Sequence, residues 1–293
     1  MELTNRLNLP STIVSAIQRD PYHQDGDISA TGLIQPPRIR QLTARHRDGM
    51  SMDVADGLWM LFGKMFHYVL EKADTKNAIV EKRLSTEING WTVTGQADLY
   101  ENEILYDYKF TTIWSYVYGL KAEWEAQVNI YAELFREHYP VKELKIIMGL
   151  RDWQKRKASR TDYPDTQIVM VDVPLWHPDK ALEYIEERVH LHRVCEHLKD
   201  VDLPLCTAEE RWERPTKYAV KAKRLKRAKR VLDSMKEAKT WAHETMKKEF
   251  EIEIRKGESI RCESYCDCAP FCDFHKSLTF KEYFGRETNG KKE

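Results

Sequence analysis

Two aspartates and a lysine stand close together near the middle of the chain. Asp98 ends the run Gly95-Gln-Ala-Asp98, and Asp107 and Lys109 follow in Ile104-Leu-Tyr-Asp107-Tyr-Lys109-Phe. Side chains along a strand alternate between its faces, so Asp107 and Lys109 emerge together on one side. If Asp98 ends the preceding strand of an antiparallel pair with a short turn, its carboxylate comes up to that of Asp107. Carboxylates that close repel each other unless a cation neutralises them, and hard oxygen donors suit Mg²⁺ or Mn²⁺. A lysine beside such an ion stabilises charge developing on a phosphoryl group, or orients an attacking water. Taken alone, the triplet also has an ordinary explanation: surface acids flanking a turn, and a lysine guarding an edge strand.

Other residues stand where the same chemistry can use them. His67, in Gly63-Lys-Met-Phe-His67, lies on a predicted helix and offers an imidazole, a common metal ligand, although a helix histidine is also an everyday structural residue. Gln127 and Tyr131 are four apart on another predicted helix and so share one of its faces; by themselves they read as helix surface or a half-buried tyrosine. Glu81, at the start of the first predicted strand, is an additional carboxylate on a looser motif.

A second concentration of chemistry lies late in the chain. Cys262, Cys266, Cys268 and Cys272 fall within eleven residues, whereas the first 194 residues hold no cysteine. Thiolates at that density suit Zn²⁺ or an iron–sulfur cluster; a group of free, partly buried cysteines is the alternative. Cys206 is a more distant candidate ligand, and His275 a further one for zinc. The run Lys217, Lys221, Lys223, Arg224, Lys226, Arg227, Lys229, Arg230 contains no acid. It offers contacts to phosphate, with Trp212 and Tyr218 nearby to stack on unpaired bases. Such runs are also ordinary solvated faces.

The elements that must position these groups follow from periodicity. Helices are predicted at about 35–47 and 53–73, the second with Leu58, Leu61, Met65 and Val69 on an apolar stripe. Strands are predicted at about 79–86, 91–99 and 103–110 as a meander, with the turn dipeptide Asn89-Gly90 between the first two. A helix over 119–138, strands at 144–150 and 168–173, and a helix over 178–198 complete a mixed sheet flanked by helices. Residues 1–25 read as a poorly specified lead-in. Ser234 and Glu237 have the form of a capping box, so a helix starts there and the basic run is a separate extended segment or hairpin. The expected division is a core over 1–203 and a basic, helical, cysteine-rich appendage over 204–293.

Composition sets the outer limits. At 293 residues, 42% hydrophobic and 32% charged, the chain resembles a globular protein rather than a disordered one. Lys+Arg and Asp+Glu balance at 47 each, so net charge gives no hint of a polyanionic partner, though a neutral total can hide a segregated field. No apolar run reaches membrane-spanning length and no signal-peptide pattern opens the chain. A cytoplasmic protein is expected, in which six cysteines argue for metal binding over disulfides.

In chain order, His67, Gly95-x-x-Asp98, Asp107-x-Lys109 and Gln127-x-x-x-Tyr131 resemble the motif series of the PD-(D/E)xK nucleases, RecB-like branch. The likeness is strongest over about 57–135. It implies an α/β, restriction-endonuclease-like core and hydrolysis of DNA phosphodiesters by a metal-activated water. Carried over residue by residue, His67, Asp98, Asp107 and the carbonyl of Tyr108 are the implied metal ligands. Lys109 is the implied catalytic lysine, and Gln127 and Tyr131 the pair that orients the catalytic strand and the DNA backbone. The run from Ile28 to Arg40 resembles the front of phage and prophage exonucleases of this branch. Many members carry an iron–sulfur staple, a 4Fe–4S cluster held by one distant cysteine and three near the chain's end. Cys206, Cys262, Cys266 and Cys272 fit that role here, with Cys268 as an alternate, although the usual first cysteine precedes the nuclease motifs and this chain has none there. The implied activity is an exonuclease in recombination, replication or end processing, with a structure-specific endonuclease or an inactive DNA-binding module as alternatives. Expected partners are DNA, a single-strand-binding or recombination protein, and further copies of the chain, in a bacterial or phage-infected cell.

Overall fold

The computed structural model describes residues 1–19, 25–73, 75–76, 78–246 and 249–278. They form two compact units. The first comprises residues 1–35 and 47–198; the second takes 36–46 together with the described chain from 199 onward.

The first unit is organised around a mixed sheet. Its strands are β1 (Ile28–Ser29), β2 (Ile79–Ile88), β3 (Trp91–Glu101), β4 (Ile104–Thr111), β5 (Glu143–Leu150) and β6 (Ile168–Val173). The order is β1-β3-β4-β5-β6, with β2 also paired to β3. β2, β3 and β4 make the antiparallel meander read from the sequence. Asn89 and Gly90 both take left-handed backbone, φ 51° and 75°, as the tight turn between right-twisting strands requires. β4 and β5 are parallel, so the chain must cross over between them. It does so through a helix, α3, counted after α1 (Ala30–Ile34) and α2 (Leu58–Glu71) and spanning Ala122–Arg136. A last helix of this unit, α4, covers Pro178–Glu196. Val93, Leu105, Ile146, Met148, Ile130, Phe135 and Ile185 fill the core between sheet and helices. Burying side chains of this size contributes about 1.5–3 kcal/mol each.

Two expectations for this unit are corrected. The first residues are not a formless lead-in: Glu2–Thr4 pairs in parallel with Ser51–Asp53, and Ser11–Gln18 is a helix. Pro10 stands at the N-terminal end of that helix. The apolar stripe on α2 does not face a core, since Leu58, Met65 and Val69 are exposed. The helix instead approaches the sheet through Phe66, whose ring lies 5.6 Å from that of Phe110, because bulky aromatic rings on β4 set the contact face.

In the second unit the basic run is a hairpin. β7 (Lys217–Ala222) lies between β8 (Arg230–Leu232) and β9 (Phe250–Arg255), antiparallel to both. Helix α5 (Met235–Thr245) covers one face, burying Val220, Ala238 and Ala242. Ser234 caps it by accepting a bond from the Glu237 amide at 3.1 Å. Helix Pro37–Arg45 also belongs to this unit. Among the described residues, no helix is long and apolar enough to cross a membrane.

Candidate metal centre and thiol cluster

β3 and β4 separate at the two aspartates. Their ladder runs Glu101↔Ile104, Tyr100↔Leu105, Leu99↔Tyr106 and then stops; Asp98 and Asp107 are the next two residues in register. Beyond them, β3 pairs with β1 instead, Val93 with Ile28 and Thr94 with Ser29. At the fork Asp98 Oδ2 accepts the Tyr108 amide at 2.5 Å, so a side chain takes the bond a ladder carbonyl would have made. Both acids are buried, Asp98 7% and Asp107 2% exposed. The ordinary explanation as surface acids is therefore removed.

On its other edge β3 brings Asp98 opposite Glu81. The β2–β3 ladder holds Val80↔Leu99 and Lys82↔Ala97 but skips the residue between. Glu81 there has φ 49°, a left-handed backbone that costs a non-glycine residue about 1–3 kcal/mol unless its surroundings hold it. Gln96 Nε2 donates to Glu81 Oε2, and Arg83 Nε donates to Gln96 Oε1 at 3.1 Å. From α2, His67 Nδ1 lies 3.2 Å from Asp98 Oδ1 and 3.9 Å from Glu81 Oε1. One donor atom from each of His67, Glu81 and Asp98 lies within 4.8 Å of the others. This His/Glu/Asp cluster is capable of chelating a metal ion.

Asp107 stands beside that trio and not in it. Its Oδ2 is 2.6 Å from Lys109 Nζ, which in turn donates to Gln127 Oε1 at 2.9 Å. Gln127 Nε2 donates to Tyr131 OH at 2.7 Å. The expected ligand set of His67, Asp98 and Asp107 thus differs from the compact one, because the ammonium of Lys109 occupies Asp107 and the bulge at Glu81 turns that carboxylate inward. The helix bearing Gln127 and Tyr131 comes so close to β3 that a Cβ on Gly95 would lie 2.6 Å from Leu134 Cδ1 and 2.9 Å from Tyr131 Cδ1. His67, Glu81, Asp98, Asp107, Lys109, Gln127 and Tyr131 line one cavity of about 500 Å³, together with Ser29, Thr31 and Thr94.

The electrostatics favour a cation. Burial lifts Asp107 above the usual carboxylate range, to about 6; Lys109 works against the rise and Asp98 adds to it. For His67, burial disfavours the imidazolium, yet close contacts with Asp98 and Glu81 and the fields of Asp98 and Asp107 overcome it and raise the group to about 10. Burial pushes the Tyr131 phenol well up. His67 Nδ1 and Asp107 Oδ2 are buried without a well-directed hydrogen bond; ion-pair contacts alone meet them. Such atoms, with carboxylates and an imidazole as donors, fit a divalent ion.

In the second unit Cys206, Cys262, Cys266, Cys268 and Cys272 line one small cavity with Arg38, Arg211, Arg261 and His275. Cys266 and Cys268 are in contact, Sγ to Sγ 3.4 Å. The buried Arg38 guanidinium donates to Cys272 Sγ at 3.3 Å and to the Leu203 carbonyl at 2.6 Å. Burial and neighbouring sulfurs push Cys206 to about 12 and Cys262 to about 11. The bond between Cys266 and Cys268 lowers the first and raises the second. The remaining cysteine, Cys195, is a core residue of α4.

The hairpin separates the expected DNA-contacting residues. Lys217, Lys221 and Lys223 are ion-paired on or beside β7, whereas Arg224, Lys226 and Arg227 are exposed in the connection to β8. The two expected stacking residues differ, Tyr218 being half-buried and Trp212 exposed. Tyr218 packs under α5, and Trp212 lies beneath the Arg261 guanidinium at 5.2 Å. Sequence reading missed Arg83, Gln96, Ser29, Thr31 and Thr94 at the first cavity. The alternation that puts Gln96 on the face of Asp98 was the one available signal.

No family model matches the chain, and no curated protein matches it. Four solved chains do. One, described as "Crystal structure of SSO0001", is 17% identical and covers 61% of this chain and 84% of its own, with a TM-score of 0.42. A likeness of that strength carries no argument about fold or activity.

Proposed function

We propose that this protein is a divalent-metal-dependent deoxyribonuclease of the PD-(D/E)xK type, RecB-like branch, working as an exonuclease on a restriction-endonuclease-like core. One observation carries the reading: a strand pair opens at two buried acids, with His67 and Glu81 on one side of them and Lys109 on the other. Five acidic or basic groups converging at one opening of a sheet have little structural use, since replacing buried ion pairs by apolar residues is often neutral or stabilising.

His67, Glu81 and Asp98 would hold the ion, with Asp107 and the carbonyl of Tyr108 beside them. Bound Mg²⁺ or Mn²⁺ supplies Lewis acidity toward a phosphate oxygen and makes water a better nucleophile near neutral pH. The chain's own groups do the rest. Lys109, held between Asp107 and Gln127, presents its ammonium to the cavity and stabilises charge on the phosphate oxygens as it develops. Gln127 and Tyr131 lock that lysine, so its position is set before substrate arrives. Burial of both acids keeps bulk water from screening these charges.

For the second unit the reading includes a 4Fe–4S cluster on Cys206, Cys262, Cys266 and Cys272, with Cys268 as the alternate. A single tetrahedral zinc needs sulfurs about 3.8 Å apart, from Zn–S bonds of about 2.3 Å. Cys266 and Cys268 meet at 3.4 Å, so zinc is the alternative to the cluster, and iron content decides between them. Three arginines around the cavity offset the negative charge that thiolates bring.

The test is cleavage of linear end-labelled DNA and of a closed circle, each with Mg²⁺, Mn²⁺ or chelator. The expected result is metal-dependent release of label from the linear molecule with the circle intact. Cutting of the circle would replace the exonuclease by an endonuclease, and inert DNA under every condition removes the enzyme altogether.

A further inference from the structure

The cations of the β7–β8 hairpin fall into two sets. On and beside the strands each has a partner. Lys221 Nζ sits between Glu251 at 3.1 Å and Glu253 at 2.9 Å, both on β9, which lies directly alongside. Lys223 reaches Glu249 at 2.8 Å, Lys217 pairs with Asp233, and the Arg230 guanidinium lies over the Trp241 ring. At the hairpin end the matching stops. Arg224, Lys226, Arg227 and Lys229 are exposed, and among the described residues none of the four has an acid within 4.0 Å.

The connection is nonetheless held in shape. The Leu225 amide donates to the Ala222 carbonyl at 2.9 Å, and the Lys229 amide to the Val220 carbonyl at 2.7 Å. Four like charges are therefore kept together on a closed turn, where they repel one another. The neighbouring strand supplies glutamates opposite the lysines of β7 and none opposite this turn. A polyanion removes that repulsion and gains from releasing its counterions.

We propose that residues 224–229 form a phosphate-gripping tip that binds the sugar–phosphate backbone of nucleic acid, and that Lys217, Lys221 and Lys223 take no part. The choice of nucleic acid as the polyanion rests on the nuclease reading above. Flexible cations meeting phosphates carry no sequence information, which suits an enzyme that digests any sequence.

The experiment is fluorescence anisotropy of a labelled oligonucleotide across a salt series, using the full chain with chelator present. A tip triple, Arg224→Gln with Lys226→Gln and Arg227→Gln, is set against a control triple of exposed lysines, Lys199→Gln with Lys236→Gln and Lys239→Gln. Losing three phosphate contacts lowers the slope of log Kd against log salt by about 2–3 and weakens binding about tenfold or more at fixed salt. The control stays within about twofold of the parent. Equal binding by the two triples overturns the proposal, as does a tip that governs binding to anionic phospholipid vesicles while leaving the oligonucleotide untouched. Both variants should melt with the parent, because the substituted groups are exposed and unpaired. Cleavage of the same DNA by the parent with Mn²⁺ is scored separately. A parent that binds through the tip but never cuts would sink the nuclease reading and leave the tip standing; a parent that cuts while both triples bind alike would do the reverse.

Discussion

In the first unit a sheet assembles the polar centre. Glu81, Asp98 and Asp107 sit on three neighbouring strands where the ladders are interrupted, and the imidazole and ammonium that complete the group meet them at 2.6–3.9 Å. In the second unit the sulfurs come from short elements and connections: Cys262 from the helix Ile260–Ser264, Cys272 from the end of a single 3-10 turn, and Cys206 from a segment outside regular structure. Register and core packing hold the oxygens near one another before any ion arrives. Of the thiols, Cys266 and Cys268 are in contact, and three, Cys206, Cys262 and Cys268, are held above their usual pKa. A hard-ligand site can be built ahead of its ion because the scaffold is stable without it, whereas a soft-ligand site of this kind is completed by what it binds.

The contrast can be broken at either end. The largest effect is expected in the second unit. Cys262→Ser should abolish bound iron and the visible absorbance of the protein, measured after anaerobic purification. Mn²⁺ affinity at the first site should stay within about twofold of the parent, since a scaffolded site does not depend on the thiols. A colourless parent containing zinc would overturn the choice of cluster. Next is Lys109→Ala, which should lower the cleavage rate about 10²–10³-fold with Mn²⁺ affinity unreduced, because the ammonium acts on substrate and not on the ion. A variant cutting at the parental rate would remove the lysine from the mechanism.

A smaller effect comes from protons. His67 is raised to about 10, so in the metal-free protein it is protonated at neutral pH, and an ion must displace that proton. Mn²⁺ affinity should therefore rise roughly tenfold per pH unit between 7 and 9, and His67→Gln should flatten the profile. The sign for stability is the reverse. In the metal-free protein a raised histidine stabilises below pH 6.5, and the stabilisation is lost as pH rises through about 10. Asp107, raised to about 6, likewise favours the folded state when protonated, and that help is lost between pH 4 and 6. Smallest is Gly95→Ala. Its added methyl meets Leu134 and Tyr131, costing about 1–3 kcal/mol by thermal melting and loosening the Gln127 hold on Lys109. Unchanged melting would mean that α3 yields without strain.

Much of this was legible because it depends on local spacing. The i, i+2 pair Asp107/Lys109 and the i, i+4 pair Gln127/Tyr131 are geometric statements that a strand and a helix enforce, and the meander followed from one Asn-Gly turn. Glu81 was marked only loosely, since its role depends on a left-handed residue inside a strand, which no periodicity announces. Gln96 and Arg83 were missed for the same reason: their task is to hold Glu81. The α2 stripe misled because amphipathic spacing shows that a face exists, not which neighbour covers it. Residues 36–46 were expected within the core over 1–203, yet they group with the chain beyond 199. That long-range association has no local signal.

This last association bears on how the molecule is made. Arg38 donates to Cys272, a partner 234 positions further along the chain. At synthesis rates of about 5–20 residues per second, the helix Pro37–Arg45 leaves the ribosome roughly 10–50 s before that cysteine exists. Throughout that interval Ile39 and Leu42, both buried in the finished protein, lack the surface that will cover them. The newborn polypeptide thus carries this helix with two apolar side chains and the Arg38 guanidinium uncovered for much of its translation.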